Sequence, residues 1–184
     1  MKNPFRRLFG SPPPPPPPSL AEQLAAAINA NDADLATQLL AQGADPDEAD
    51  AHGWTAPQRA AANGRLAILS LLLAAGADRH GRTSLGQTLL HLAANSMYPA
   101  VFAPLVEAGL DVNALDGLDQ TALFYSAGLD DAAGVATLLK LGADATLRNH
   151  AGQTARDAAL AREQDPYNPW STAAAQSLLQ AAGG

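Results

Sequence analysis

A fixed interval of 33 residues governs this chain. A tripeptide of the Gly-Ala-Asp type recurs at that interval, at residues 43–45, 76–78, 109–111 and 142–144. An independent series of threonines keeps the same period: Thr55, Thr88, Thr121 and Thr154. Because two unrelated series share one period, the sequence predicts a repeat protein, in which each unit buries its apolar face only against its neighbours. Such a fold offers an extended binding surface rather than one deep pocket.

Each unit has the pattern of a helix, a turn, a second helix and a loop. In the first unit, Ser19 and Glu22 have the spacing of a capping box, and Leu24 and Ile28 follow at helical spacing. The second helix ends at Gly43, because glycine readily adopts the left-handed conformation at a helix C-terminus. We therefore expect an all-α body apart from short hairpin-like loops. Aromatic residues make up only 5% of the chain, so its core should consist mainly of Ala and Leu.

Several units depart from the regular pattern. Pro99 and Pro104 in the third unit predict a shifted or shortened second helix. Asp119 stands where a turn glycine is expected, and aspartate is one of the few residues that tolerate that conformation. The last unit holds about seven extra residues around Glu163–Trp170, which should loop out before the final helix.

The N-terminal segment differs in composition from the rest. Residues 1–18 contain three basic residues, no acidic one, and the uninterrupted run Pro12–Pro18. We expect a disordered arm whose prolines form a semi-rigid polyproline II spacer. The alternative is a ligand for an aromatic-lined groove of the SH3 or WW kind. The remaining chain, 19–184, is expected to form one domain with approximate repeats 19–49, 50–82, 83–115, 116–148 and 149–184.

The net charge of −7 narrows the possible partners and locations. Residues 19–184 carry −10, which disfavours nucleic-acid binding, because phosphate contacts need clustered Lys and Arg. No apolar run approaches the roughly 20 residues that span a bilayer, and no apolar segment follows Met1–Gly10 as in a signal peptide. We expect a cytoplasmic protein without stable membrane association, with specialised secretion left open. The abundance of Ala and of Arg over Lys indicates a bacterial origin.

No motif predicts an enzyme, a cofactor or a metal site. The segment 81–88 has P-loop spacing, but Gln87 replaces the lysine that such a loop needs. The acidic cluster 45–50 lacks the glycine and the final glutamate of a calcium loop, and the four histidines lack ligand spacing. Ser126 lacks the first glycine of a nucleophile elbow. With no cysteine, thiolate chemistry is excluded.

The repeat resembles that of the ankyrin family, and the resemblance covers residues 19–184. It is carried by Gly53-Trp-Thr55, the pair Ala60-Ala61, Gly64, and the run Leu72–Asp78. The Thr-Pro-Leu-His motif of the family is preserved in no copy, and Thr88-Leu-Leu-His91 comes nearest. We expect His91 to be a structural hydrogen-bonding residue. The resemblance implies a solenoid of helix pairs with projecting hairpin-like fingers, and a concave face of fingers and first helices that binds other proteins.

Placing the sequence on that pattern predicts the residues that contact a partner. From the fingers these are His52, Trp54, Leu85, Gln87, Leu118, Gln120, His150 and Gln153. From the ends of the first helices they are Asn63, Asn95, Ser96, Leu129 and Arg162. Trp54, Leu85 and Leu118 stand out, because exposed apolar groups at finger tips suggest an interaction surface with Trp54 as its anchor. Alternatively, these three side chains pack finger against finger.

These observations predict a non-enzymatic protein–protein interaction module, which could be an adaptor, an inhibitor or an immunity-type protein. The expected partner is another protein, and neither a nucleic acid nor a small-molecule substrate. One alternative is a secreted bacterial effector that engages host proteins. A third hypothesis, an enzyme, has the least support in the sequence.

Overall fold

The computed structural model describes residues 16–163 and 173–182. These residues form ten α-helices and no β-strand, with a single isolated bridge between Arg148 and Thr154. The expectation of an all-α repeat solenoid is confirmed. The helices are α1 Leu20–Ala30, α2 Ala33–Ala41, α3 Ala56–Ala62, α4 Leu66–Ala74, α5 Leu89–Asn95, α6 Phe102–Glu107, α7 Ala122–Gly128, α8 Ala132–Lys140, α9 Ala155–Glu163 and α10 Ala173–Ala182.

The periodic threonines mark the starts of first helices. Thr55, Thr88 and Thr121 are the N-cap residues of α3, α5 and α7. At α1 the expected capping box is present, since the Glu22 N–H donates to Ser19 Oγ and the Ser19 N–H donates to Glu22 Oε2 at 2.8 Å. A residue that satisfies a free backbone N–H at a helix start stabilises that start. The 33-residue period therefore places a threonine at the N-cap position of each of these three first helices.

The third unit is irregular in the way that its prolines predict. Pro99 opens a 3₁₀ turn, Pro99–Val101, which leads into α6 of only six residues. Met97 precedes this turn with φ 60°, in the left-handed region. Asp119 also adopts a positive φ, of 58°, as expected for the residue that replaces a turn glycine. The second helix of this unit is thus shortened, because proline lacks the N–H that a helix interior requires.

The helices stack in two layers. The first helices α1, α3, α5, α7 and α9 contact one another in succession, and α2, α4, α6, α8 and α10 lie along them. Small residues on the first helices, such as Ala60, Ala61, Ala93 and Ala94, are fully buried and let neighbouring helices approach closely. One continuous apolar cluster runs through the stack, so each unit depends on its neighbours. Its largest fully buried members are Phe102, Leu24, Ile28, Leu39, Ile68, Leu69, Leu72, Leu89, Leu90, Leu105, Leu123 and Leu138.

Some sequence predictions fall outside the described residues. These are the basic part of the N-terminal arm, most of the predicted insertion with Tyr167 and Trp170, and the side chain of Arg162. Of the proline run, Pro16, Pro17 and Pro18 are described, and they are exposed.

Two leucines of α4 allow a matched test of the core. Leu72 is fully buried, whereas Leu66 is 36% exposed. Leu72→Ala should lower the free energy of unfolding by about 2–5 kcal/mol, because it removes apolar burial and leaves a cavity. Leu66→Ala should cost about 1 kcal/mol or less. Urea unfolding followed by circular dichroism measures both, and equal losses would contradict the packing of this helix.

Gly64 tests the contact between the second and third units. It has φ 64°, and a Cβ added there would lie 2.5 Å from Cδ1 of the Tyr98 ring. Gly64→Ala should therefore destabilise the fold by about 2–3 kcal/mol, through left-handed strain and steric overlap together. In a Tyr98→Ala background the loss should fall to about 1–2 kcal/mol, since only the strain remains. An identical loss in both backgrounds would show that the ring does not occupy this space.

Candidate functional site

Four fingers connect successive units, and all are built alike. We define finger 1 as residues 45–55, finger 2 as 78–88, finger 3 as 111–121 and finger 4 as 144–154. In each, one backbone N–H donates across the hairpin to a carbonyl four residues later. The pairs are Asp50 to Trp54 at 2.9 Å, Thr83 to Gln87 at 3.0 Å, Asp116 to Gln120 at 2.9 Å and Asn149 to Gln153 at 2.9 Å.

A series of side chains that the sequence reasoning missed closes these fingers. In every finger the side-chain oxygen of the first residue of that pair accepts the N–H groups two and four residues later. These residues are Asp50, Thr83, Asp116 and Asn149. They recur at the 33-residue period, and all are short acceptors of the kind that hydrogen-bond to nearby backbone. That combination was the signal available in the sequence.

The two acidic members of this series, Asp50 and Asp116, have a side-chain donor nine residues later that compensates their negative charge. Arg59 donates to Asp50, and Tyr125 donates to Asp116. Arg59 Nε donates to Asp50 Oδ2 at 2.9 Å, and its Nη2 donates to the same oxygen. Burial raises the pKa of Asp50, but hydrogen bonds from the Trp54 and His52 N–H groups and from Arg59 outweigh it, so the net pKa lies below its usual value. The neutral members Thr83 and Asn149 have no such requirement. Nine residues after them stand the apolar side chains Leu92 and Ala158.

A hydrogen-bonded network joins finger 2 to finger 3. The hydroxyl of Tyr125 donates to Asp116 Oδ2 at 2.7 Å and accepts Nε2 of Gln87 at 2.8 Å. Burial, followed by the contact with Asp116, raises the pKa of Tyr125 to about 12. Burial also raises the pKa of Asp116, but hydrogen bonds from Tyr125 and two backbone N–H groups hold it below its usual value. The Gln87 amide is thus engaged within the protein.

His91 is a structural residue of the same region, as expected. Its Nδ1 accepts the Thr88 N–H at 3.1 Å and lies 2.8 Å from Thr88 Oγ1. Since Nδ1 accepts, Nε2 carries the proton and donates to the carbonyl of Gln120 at 2.9 Å. Burial lowers the pKa of His91 and so favours this neutral form.

Seven of the eight predicted finger residues fall in two rows, and His150 lies outside both. The fingertip row holds His52, Leu85 and Leu118, with Ala151 at the same register, and the second row holds Trp54, Gln87, Gln120 and Gln153. Leu85 is 67% exposed and Leu118 is 60% exposed. Trp54 is half-buried and packs against the core. The expectation that Trp54 is an exposed group at a finger tip is therefore wrong. The physical reason is its position directly before the N-cap Thr55, at the base of the finger.

The remaining predicted residues lie at the other ends of the first helices. Asn63, Ser96 and Leu129 are the C-cap residues of α3, α5 and α7, and Asn95 is the last residue of α5. Seven-residue helices place them roughly 10 Å from the fingers. Asn63 Nδ2 also donates to Asn29 Oδ1 of the preceding unit at 2.9 Å. The predicted site thus divides into a finger part and a helix-end part.

His150 belongs to the finger part but is already paired. Its Nδ1 lies 2.7 Å from Asp119 Oδ2, and its backbone N–H donates to the carbonyl of Leu118 at 3.1 Å. These contacts hold finger 4 against finger 3. Of the predicted finger residues, Leu85 and Leu118 offer the clearest free surface.

Metal ligands, membrane-spanning helices and the hydroxyl of Ser126 bear on the other function classes. Residues 16–163 and 173–182 contain no group of three or more potential metal ligands, and no helix among them is both long and apolar enough to cross a membrane. Ser126 is fully buried in α7, where no substrate reaches its hydroxyl.

Comparison with known proteins identifies the repeat. A family model described as ankyrin repeats in three copies matches residues 24–116, about half of the chain. No curated protein sequence gives a significant match.

The Asp116–Tyr125 contact predicts a pH-dependent stability difference. Because the folded pKa of Asp116 lies below its ordinary value of 3.8, this group adds stability above that pH, and the contribution is lost as the pH falls through the lowered pKa. Tyr125→Phe should cost about 1.5–3 kcal/mol at pH 7, the value of a hydrogen bond to a charged group.

Urea unfolding at pH 7 and towards pH 3 measures this difference, which should shrink in acid. Tyr98→Phe is the matched control, since Tyr98 is exposed and its hydroxyl makes no hydrogen bond within the described residues. An equal, pH-independent loss in both variants would contradict the proposed contribution of the Asp116 carboxylate.

Proposed function

This chain belongs to the ankyrin repeat family, whose repeats are in general protein–protein interaction modules, and on that premise we propose that it is a non-enzymatic adaptor, inhibitor or immunity-type protein. It binds a partner protein in the cytoplasm through the fingers of its concave face. The five repeats expected from the 33-residue period provide the scaffold, and the partner contacts centre on fingers 2 and 3.

The exposure of Leu85 and Leu118 is the observation that carries this proposal. The two side chains occupy equivalent positions on adjacent fingers, and each is more than half exposed. Large apolar side chains at successive tips form a contiguous surface, and such surfaces are typical of protein-binding sites. Burial of this surface by a partner supplies the hydrophobic contribution to binding.

The backbone beneath these leucines supports the same proposal. The Gly117 N–H donates to the carbonyl of Leu85 at 2.9 Å, which joins the two tips directly. A Cβ on Gly86 would lie 2.9 Å from the Gly117 nitrogen, so glycine is needed for this close approach. Fingers fixed in this way lose little conformational entropy when a partner binds. The leucines therefore act as preorganised contacts.

The first helices contribute less exposed surface than the resemblance alone suggests. Every residue of α5 except Asn95 is buried, and α7 exposes only part of Tyr125 and Gly128. The fingers, rather than the helix faces, therefore offer the main contact area. Asn63, Ser96 and Leu129 at the helix ends form a secondary region that a large partner would reach.

The test is an affinity capture with the full chain as bait, using three versions. One is the unchanged chain, the second carries Leu85→Asp with Leu118→Asp, and the third carries Leu35→Asp with Leu66→Asp. The third is a matched control, because Leu35 is 39% exposed and Leu66 is 36% exposed, and both lie on second helices, away from the fingers.

A specific partner should bind the unchanged chain and the control, and should bind the fingertip variant at least 30-fold more weakly. This factor corresponds to about 2 kcal/mol, typical of a binding hot spot. Thermal melts of the three baits should agree within a few degrees. A partner that binds all three equally would show that the fingertip row is not the contact surface.

A further inference from the structure

Adjacent fingers are joined by one backbone hydrogen bond at a repeated register. The Gly117 N–H donates to the Leu85 carbonyl at 2.9 Å, and the His150 N–H donates to the Leu118 carbonyl at 3.1 Å. Thirty-three residues earlier, the corresponding pair is the Ser84 N–H and the His52 carbonyl. Within the described part of the chain, neither of these two groups makes a hydrogen bond. The series of backbone hydrogen bonds between adjacent fingers is therefore interrupted between fingers 1 and 2.

A groove of about 460 Å³ occupies the place of the missing bond. Finger 1 lines it from His52 to Thr55, with Gln58 of α3 beside them, and finger 2 lines it from Arg82 to Leu85 and with Gln87. This volume lies within the range of ~300–1,000 Å³ that is usual for ligand sites. Because Leu85 belongs to its lining, the groove continues the fingertip surface.

The residue type at the position of Trp54 also differs at this junction. The other three fingers have glutamine at this position: Gln87, Gln120 and Gln153. Trp54 provides the largest aromatic ring in the lining of the groove, and it is half-buried. An indole ring in a partly enclosed groove offers a flat apolar surface and one N–H donor. The missing hydrogen bond and the tryptophan thus coincide.

The lining of the groove also carries a positive charge. The chain has 18 acidic and 11 basic residues, yet no carboxylate lines this groove, whereas Arg82 does. Arg82 Nη1 donates to the carbonyls of Gly86 and Leu115, both at 2.7 Å, which anchors the side chain on fingers 2 and 3. Its Nε and Nη2 groups make no hydrogen bond to the described residues and can donate to a carboxylate.

We propose that the gap between fingers 1 and 2 binds an extended acidic peptide segment of the partner protein. The peptide backbone supplies the carbonyl that the Ser84 N–H lacks and the N–H that the His52 carbonyl lacks, as in addition of a strand to an open edge. An apolar side chain of the peptide covers the Trp54 indole, and an adjacent Asp or Glu side chain meets Arg82. This inference rests on the proposed function and names the segment of the partner that is recognised.

The probe is a phage-displayed library of random heptapeptides, panned on the full chain. Enriched sequences should pair Asp or Glu with an apolar residue. The strongest of them is then synthesised, and its Kd is measured by fluorescence anisotropy against the unchanged chain and four single variants. Two variants alter the groove, and two are matched controls for them.

Ser84→Pro removes the N–H that the peptide is expected to engage, together with the serine hydroxyl. Ser84 is the second residue of the turn closed by the Gly86 N–H on Thr83, a position where proline is favoured. Ala51→Pro is its control, because Ala51 holds the equivalent place in finger 1 and does not line the groove. Arg82→Gln is compared with Arg79→Gln, since Arg79 also lies on finger 2 but outside the groove.

Ser84→Pro and Arg82→Gln should each weaken peptide binding about tenfold or more, which corresponds to one hydrogen bond. Ala51→Pro and Arg79→Gln should change the Kd by less than about twofold. Circular dichroism melts of all variants confirm that the fold is retained. Failure to enrich any peptide, enrichment of basic or proline-rich peptides, or equal binding by Ser84→Pro and Ala51→Pro would overturn the proposal.

A further outcome separates this inference from the proposed function. If the enriched peptides bind Ser84→Pro normally but lose binding to a Leu118→Asp variant, the fingertip row is the contact surface and the gap is not. The proposed function would then stand and the peptide site would not. If neither Ser84→Pro nor Leu118→Asp weakens peptide binding, and the captured partner also binds both variants as tightly as the unchanged chain, the proposed function and the peptide site both fail.

Discussion

Close stacking of neighbouring first helices is the constraint on which the rest of this structure depends. No single helix pair can bury its own apolar face, so burial is completed only by the next unit. The alanines of α3 and α5, such as Ala60 and Ala93, are fully buried and allow the backbones to approach. A larger side chain there would separate the units and the fingers attached to them. The spacing of the fingers, and therefore the shape of any binding surface on them, follows from alanine packing in the layer beneath.

The fingers need their own polar closure, because little apolar surface is buried within them. A side-chain oxygen at one register holds two backbone N–H groups in every finger, from Asp50 to Asn149. Where that oxygen belongs to a carboxylate, the charge requires a compensating donor, which Arg59 or Tyr125 provides. Such closure stiffens the hairpins without an extended sheet. A stiff finger presents Leu85 in a defined place, which links local hydrogen bonding to recognition.

The repeat period and the local capping rules predict much of the fold from sequence alone. The N-caps Thr55 and Thr88 and the shortened third unit depend on residues close together in the chain, which sequence patterns describe well. The candidate site depends on contacts between distant residues. Gln87 is engaged by Tyr125, 38 residues away, and Asn63 by Asn29, 34 residues away. Periodicity places these side chains on a face, but it cannot show which of them remain free to bind a partner.

Interruptions of a periodic structure carry more functional information than its regular parts. At the junction of fingers 1 and 2, a backbone hydrogen bond found at both later junctions is missing, and a tryptophan replaces a recurrent glutamine. The missing hydrogen bond does not improve the stack, since an unpaired donor and acceptor forgo the stability that the Gly117 and His150 bonds supply. Local departures from a self-consistent pattern are expected where function requires them. In a protein of net charge −7, Arg82 in this groove would favour the proposed acidic segment over a basic one. The proposed acidic segment would meet Arg82 at this junction, while the net charge of −7 opposes its contact elsewhere, which favours one binding mode over many.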